Sequence, residues 1–190
     1  KKLKRCLNVL SFPYKIETIG LENIDLKENV LICSNHASFL DGIWILKAME
    51  KNIDFTKIAG LAAYERQEGF LSNKLFKILG QIPVERSGNT VPAMNMAKLC
   101  LLKGYNMVIF PEGARSRNGS MLPFKKGTAK LAIDTDKMIL PIRMEGTFEI
   151  FPRHKKYPSL FDWKHLRRHK IKIIFGEIIG PRGYTVDELT

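Results

Sequence analysis

Cysteine is scarce in this chain: three among 190 residues, Cys6, Cys33 and Cys100, far apart and each within an apolar run. That pattern excludes a disulfide framework and a cysteine metal site, and it implies reduced core thiols in a cytosolic compartment. Long apolar runs are lacking too. No stretch reaches the roughly 18 apolar residues of a membrane-spanning helix, and no signal peptide is visible. The chain opens at Lys1 rather than Met, so an upstream segment is expected, and a membrane anchor is one thing it would hold. Neither the G-x-x-x-x-G-K-[ST] nor the G-x-G-x-x-G pattern occurs, which leaves nucleotide folds of those kinds unsupported. His154, His165 and His169 have no ligand spacing to the fourth histidine, His36, so no metal is expected. Acidic residues are few. The 19 Asp and Glu face 31 Lys and Arg, a formal charge of +12. Such a surplus suggests an anionic partner: nucleic acid, an acidic membrane or a phosphorylated substrate.

What is present fits one domain spanning residues 1–190. Hydrophobic residues make up 45% of the chain, enough for a sizeable core. The pattern predicts strands over 14–21, 28–34, 55–61, 81–86, 106–110, 138–142 and 170–175. It predicts helices over 39–49, 70–79, 92–103 and 129–134. Strands alternating with helices imply an α/β fold with a mostly parallel central sheet flanked by helices. Residues 1–12 mix lysines with apolar positions 3, 6, 7 and 10 at helical spacing. They suit either a helix packed on the core or an interfacial amphipathic helix meeting anionic lipid. Thr185 and Glu188 form a capping box at the start of a last, short helix.

The stretch Ser34-Asn35-His36-Ala37-Ser38-Phe39-Leu40-Asp41 lies where a buried strand gives way to a helix. Such junctions present side chains at a sheet end. If His36 ends the loop and Asp41 opens the helix, the imidazole folds back over the carboxylate. The carboxylate then fixes the tautomer of a general base. On spacing alone, a structural histidine beside a capping aspartate fits equally well. Cations cluster at other strand ends. Phe110-Pro111-Glu112-Gly113-Ala114-Arg115-Ser116 follows one strand, with Gly113 suited to a tight turn and Arg115 to an anion. Lys125-Lys126-Gly127 enters a helix N-terminus. Arg86 leaves a further strand end. Solvated loop cations, with Glu112 paired to Arg115, are the competing reading.

Together these blocks resemble the glycerolipid acyltransferase family typified by the lysophosphatidate acyltransferases, the PlsC-type enzymes. Asn35 to Asp41 is similar to its N-H-x4-D block. Gly80 to Arg86 is similar to the second block, and Phe110 to Ser116 to the F-P-E-G-T-R-S block, continued by Phe124-Lys125-Lys126-Gly127. Leu140-Pro141-Ile142 is similar to the fourth. Ala114 departs from the usual Thr and removes a hydroxyl from the acceptor loop.

The resemblance implies an acyltransferase of the 1-acylglycerol-3-phosphate type. His36, oriented by Asp41, would deprotonate the free hydroxyl of lysophosphatidic acid, which attacks the thioester of acyl-CoA or acyl-carrier protein. Arg86 and Arg115 would hold the acceptor phosphate, with Glu112 and Gly113 shaping the loop and Lys126 contributing. Trp44, Phe70, Leu71 and Phe76 would line an acyl groove, or else are ordinary core. No cofactor is implied beyond the acyl donor as co-substrate, no metal, and no nucleic-acid partner. The place of action would be the cytoplasmic face of a membrane, reached peripherally or through an anchor outside this chain.

Other acceptors, glycerol 3-phosphate or another lysophospholipid, fit the same residues. A hydrolase would differ only in using water. A non-catalytic module binding anionic lipid or nucleic acid is favoured by residues 153–170, where seven Lys and Arg face the single acid Asp162 and aromatics are interleaved. A membrane-docking edge of the enzyme accounts for the same stretch.

Overall fold

The apolar runs that become strands are four to seven residues long, too short for stable helices and suited to a buried sheet. A computed structural model describes residues 2–24, 26, 28–63, 81–84 and 90–190. In chain order the described elements are helix α1 (Lys2–Ser11), strands β1 (Lys15–Ile19) and β2 (Leu31–Ser34), helix α2 (Asp41–Ala48), and strands β3 (Ile58–Ala63) and β4 (Gln81–Val84). Helix α3 (Val91–Leu102), strand β5 (Asn106–Ile109), helix α4 (Gly127–Thr135), and strands β6 (Ile139–Glu145) and β7 (Lys170–Phe175) follow. The expected strand from Phe55 begins later, because Phe55–Lys57 form a 3-10 turn capped by Asp54. The expected helix from Phe39 begins at Asp41, the first residue past the loop. The expected helix over 70–79 lies outside the described residues.

The strands form one sheet in the order β1-β7-β6-β2-β5-β3-β4. Five of them, β6, β2, β5, β3 and β4, run parallel. β7 runs antiparallel to β6 and carries β1 parallel to itself. The sheet is therefore mixed at one side only, and the five parallel strands bring their C-terminal ends to a single edge.

Alternation along the strands places a core on each face. Ile32 of β2, Val108 of β5 and Leu140, Ile142 and Met144 of β6 pack with Leu7 of α1 and with Trp44 and Ile45 of α2. Leu31, Cys33, Met107, Ile109 and Ile139 pack on the other face with Ala97 and Leu101 of α3 and Leu131 and Ala132 of α4. Each such buried aliphatic side chain contributes about 1.5–3 kcal/mol of transfer free energy. Helices thus cover both faces, as expected. Helix α1 lies against α2 with Leu3, Leu7 and Leu10 on the core. The capping box at Thr185 is formed, with the Thr185 amide donating to Glu188 Oε2 at 2.8 Å and the Glu188 amide donating to Thr185 Oγ1 at 3.3 Å. Only turns follow it.

Pro141 sits in the middle of β6, an unusual place for a residue without an N–H. The Ile139 backbone exchanges both hydrogen bonds with Ile179, at 2.9 Å each, so residues 139 and 141 turn their backbones toward β7. The Pro141 carbonyl accepts from the Gly176 amide at 2.9 Å, and the regular β6–β7 ladder resumes only at Ile142–Phe175. The missing donor therefore falls where the ladder has already opened.

Gly146 ends β6 with φ +79°, and a Cβ there would run into the Lys170 carbonyl oxygen. Gly146→Ala is expected to cost about 1–3 kcal/mol through left-handed strain and this contact. Urea denaturation checks it: an unchanged midpoint would show that the β6 end accommodates a side chain.

Candidate active site

Asp41 is the first residue of α2 and is fully buried. Its Oδ2 accepts three hydrogen bonds: from the Ala37 amide at 2.8 Å, the Ser38 amide at 2.7 Å and His36 Nδ1 at 2.8 Å. The loop turns back over the helix start because those two amides and the imidazole converge on one oxygen. A carboxylate oxygen that already takes two amide hydrogens can only accept from the ring, so Nδ1 carries the hydrogen. Nε2 then holds the lone pair and is the basic atom. The His36 side chain is 20% exposed, so a ligand can reach it.

Phe110, the residue after β5, stacks on the His36 ring, with centroids 3.9 Å apart and planes 14° apart. The stack fixes the plane of the imidazole at the end of β5. The signal for this was present in the sequence as an aromatic at a strand end. Its pairing with His36 was not.

Glu112 joins the two loops. Its Oε1 accepts from the His36 amide at 2.7 Å and its Oε2 from the Leu122 amide at 2.9 Å. The side chain is buried. Both oxygens are committed to backbone, which makes Glu112 a strut rather than part of a phosphate pocket. The Ser116 amide donates to the His36 carbonyl at 2.8 Å, so the loop grips His36 from both sides. Asn35 fixes the strand end by exchanging two hydrogen bonds with the Met144 backbone, at 3.0 and 2.7 Å. Its role was not evident in the sequence, where it was only the residue before His36.

Gly113 takes φ +69°, and a Cβ there would meet the Lys125 side chain, which lies across it. Arg115 is 3% exposed, and its guanidinium carbon lies 5.8 Å from the centre of the Phe39 ring. Lys126 is exposed and pairs with Asp187. Lys125 is therefore the lysine closer to the Glu112 loop, a distinction the adjacent pair hid in the sequence. Arg86 lies outside the described residues, as do Phe70, Leu71 and Phe76. Trp44 belongs to the core: it is fully buried, with Tyr14 edge-on at 5.3 Å. That corrects its assignment to an acyl groove, because no part of the indole faces open space.

A cavity of about 410 Å³ opens on the other face of the sheet, beside Ser34 and Asn35. Ile139, Pro141, Phe124, Ala129, Ile174 and Ile179 are among its lining residues. Pro141, Ile174 and Gly176 line it beside the β6–β7 ladder. Cys33 lines it as well, with burial pushing its thiol up to about 12. The thiol thus stays protonated near neutral pH and is a poor nucleophile. Among the described residues no group of His, Cys, Asp and Glu could hold a metal ion, and no helix is long and apolar enough to cross a membrane.

Residues 15–145 match the family model described as acyltransferase. The chain belongs to the acyltransferase family. A chloroplastic 1-acyl-sn-glycerol-3-phosphate acyltransferase of Arabidopsis thaliana is 31% identical over 154 residues, which are 80% of this chain and 41% of that protein. A probable 1-acyl-sn-glycerol-3-phosphate acyltransferase of Mycoplasma pneumoniae is 25% identical over 185 residues, 95% of this chain and 68% of that protein. The fold is that of the crystal structure of the 1-acyl-sn-glycerophosphate acyltransferase PlsC from Thermotoga maritima, with a TM-score of 0.75 at 22% identity over 99% of this chain and 72% of that one. The chain spans only about two fifths of the length of the plant relatives.

Glu112→Gln replaces one backbone acceptor by an amide donor, which leaves a buried N–H facing another N–H. The variant is expected to lose about 1–3 kcal/mol of stability. It should also free the 112–125 loop, seen as faster amide exchange at His36 and Leu122. Wild-type exchange at both amides would show that the strut is dispensable.

Proposed function

We propose that the protein transfers a fatty acyl group from a thioester donor to the free hydroxyl of lysophosphatidic acid, giving phosphatidic acid. The observation that carries this reading is the His36–Asp41 pair, 2.8 Å apart at the catalytic edge of an acyltransferase-family fold. The names of the relatives supply the acceptor. In the reaction His36 Nε2 takes the hydroxyl proton as the oxygen attacks the thioester carbonyl. The carbon–sulfur bond breaks as the ester bond forms, and the proton passes to the departing thiolate. Asp41 holds the imidazolium in place throughout. No covalent enzyme intermediate and no cofactor is needed; acyl-CoA or acyl-carrier protein acts as co-substrate.

Arg86 and Arg115 are assigned to the acceptor phosphate from the family resemblance. Lys125, exposed across Gly113, adds positive charge to the same edge. The acyl chain is assigned to the apolar cavity behind Asn35. Its volume is in the range of ligand pockets, and it adjoins the residue before His36.

His36→Ala is expected to lower kcat by about 10²–10⁴-fold while the protein stays folded. Mass-spectrometric product analysis with lysophosphatidic acid and both donor types checks it. Near-normal turnover would remove His36 as the base. Release of free fatty acid without acceptor would instead favour a hydrolase. Ala129→Leu should shift the preferred donor to shorter acyl chains, with kcat/KM for long chains falling on the order of tenfold. An unchanged chain-length profile would place the acyl group elsewhere.

A further inference from the structure

The segment between β6 and β7 returns to the catalytic edge. β7 runs antiparallel to β6, and Lys172 pairs with Glu145, so β7 begins where β6 ends. Residues 147–169 therefore emerge on the side of the sheet where β2 delivers His36. The two are in contact: the Phe39 amide donates to the Phe151 carbonyl at 3.3 Å, with the two rings edge to face.

The inner part of this strap is anchored. Ile150 is fully buried, and its carbonyl accepts from the Ser159 amide at 2.8 Å. His169 Nε2 lies 3.0 Å from Ser159 Oγ. The outer part is a closed hairpin tip. The Asp162 amide donates to the Arg167 carbonyl at 2.9 Å, and the Arg167 amide donates to the Asp162 carbonyl at 3.2 Å. The Asp162 carboxylate also accepts from His165 Nδ1 at 2.7 Å. Leu166 is held at φ +51°, in the left-handed region that leucine avoids. This rigid tip presents Trp163, 77% exposed, and Leu166, 76% exposed, to solvent. Tyr157 and Leu160 are exposed behind them.

Helix α1 extends the same surface. Arg168 donates to the carbonyls of Phe12, Pro13 and Tyr14. Phe12 is 79% exposed beneath that guanidinium, and Val9 is exposed one turn earlier. Apolar side chains of this size rarely stand free on a rigid, projecting tip unless something receives them.

We propose that the 153–170 strap, joined to Phe12, is a membrane-docking surface for an anionic bilayer, with Trp163 and Leu166 entering the headgroup boundary. Charge complementarity selects this occupant: residues 153–170 carry seven Lys and Arg and the single acid Asp162, and with Arg167 and Lys170 engaged by Asp162 and Glu17 the surplus still matches anionic headgroups. Trp and Tyr suit a boundary that is apolar on one side and wet on the other. Docking here turns the catalytic edge toward the lipid, so an acceptor can meet His36 while its chain remains in the bilayer. This last point rests on the reaction proposed above; the docking itself does not.

The test uses the two tryptophans. Trp44 is fully buried and Trp163 exposed, so a water-soluble quencher reads Trp163. Mixed phosphatidylcholine–phosphatidylglycerol vesicles are expected to shield Trp163 from iodide, and pure phosphatidylcholine vesicles much less. In sedimentation assays, Trp163→Ser with Leu166→Ser should weaken partition onto mixed vesicles about tenfold. Lys156→Gln with Lys164→Gln should weaken it roughly tenfold and reduce its salt dependence. Acyl transfer to a short-chain, monomeric lysophosphatidate should be unchanged in the tip variant and fall only with vesicle-borne acceptor. Unaltered quenching on mixed vesicles, or wild-type partition of the tip variant, would overturn the proposal. So would shielding of Trp163 by duplex DNA but not by vesicles. Vesicle binding that depends on the tip, in a protein without acyl transfer to any lysolipid, would leave this inference standing and remove the enzymatic one.

Discussion

Asp41 Oδ2 collects the Ala37 amide, the Ser38 amide and His36 Nδ1 within 2.8 Å of a single buried oxygen. Each is a charge-assisted hydrogen bond, shorter and stronger than a neutral one. The carboxylate is fully desolvated, a costly placement offset only by such donors and by the start of helix α2 beside it. That interaction sets three things together: the path of the loop, the tautomer of His36 and the first turn of α2. Removing the aspartate would leave two amides and an imidazole N–H facing a buried void. The placement of His36 and the local fold thus depend on one group.

The sheet makes that group useful. Five parallel strands end at one edge, so loops distant in sequence converge there by topology alone. Glu112 then links the β5 loop to the β2 loop through backbone amides, and Ser116 closes the same link from the other side. The Phe110 ring under His36 completes a site in which the imidazole is fixed by a carboxylate, two loop contacts and an aromatic face. Such prior fixing lowers the entropic cost of bringing a hydroxyl and a base together.

Much of this was legible in the sequence because strand periodicity is local. The apolar runs ending at Ser34, Phe110 and Ile142 predicted buried strands, and the switch after Ser34 predicted a loop beside a helix start. The Asp41–His36 contact was legible as one of two readings that spacing alone left open, and the family blocks favoured it. Long-range pairings were not. Nothing in the spacing of Glu112 tells that its oxygens reach His36 and Leu122. Nothing in Phe110 tells which ring it meets, and Lys125 and Lys126 are indistinguishable until Gly113 is seen beneath one of them. Trp44 illustrates the opposite error. Its position on an amphipathic helix fits a groove or a core equally well, and only packing against Tyr14 decides between them.

The reversal of β7 links the chemistry to the surface. Had β7 run parallel to β6, a crossover would have carried residues 147–169 to the far edge of the sheet. Running antiparallel, it returns them to the edge that holds His36. The basic, aromatic strap and the buried carboxylate are then neighbours. The carboxylate is held inside the fold by its donors, and the strap presents Trp163 and Leu166 to solvent. The sheet places the carboxylate under the first turn of α2 and the strap outside it, with the Phe39–Phe151 contact between them. With the strap docked on lipid as proposed, a water-insoluble acceptor would have only a short distance to travel to His36.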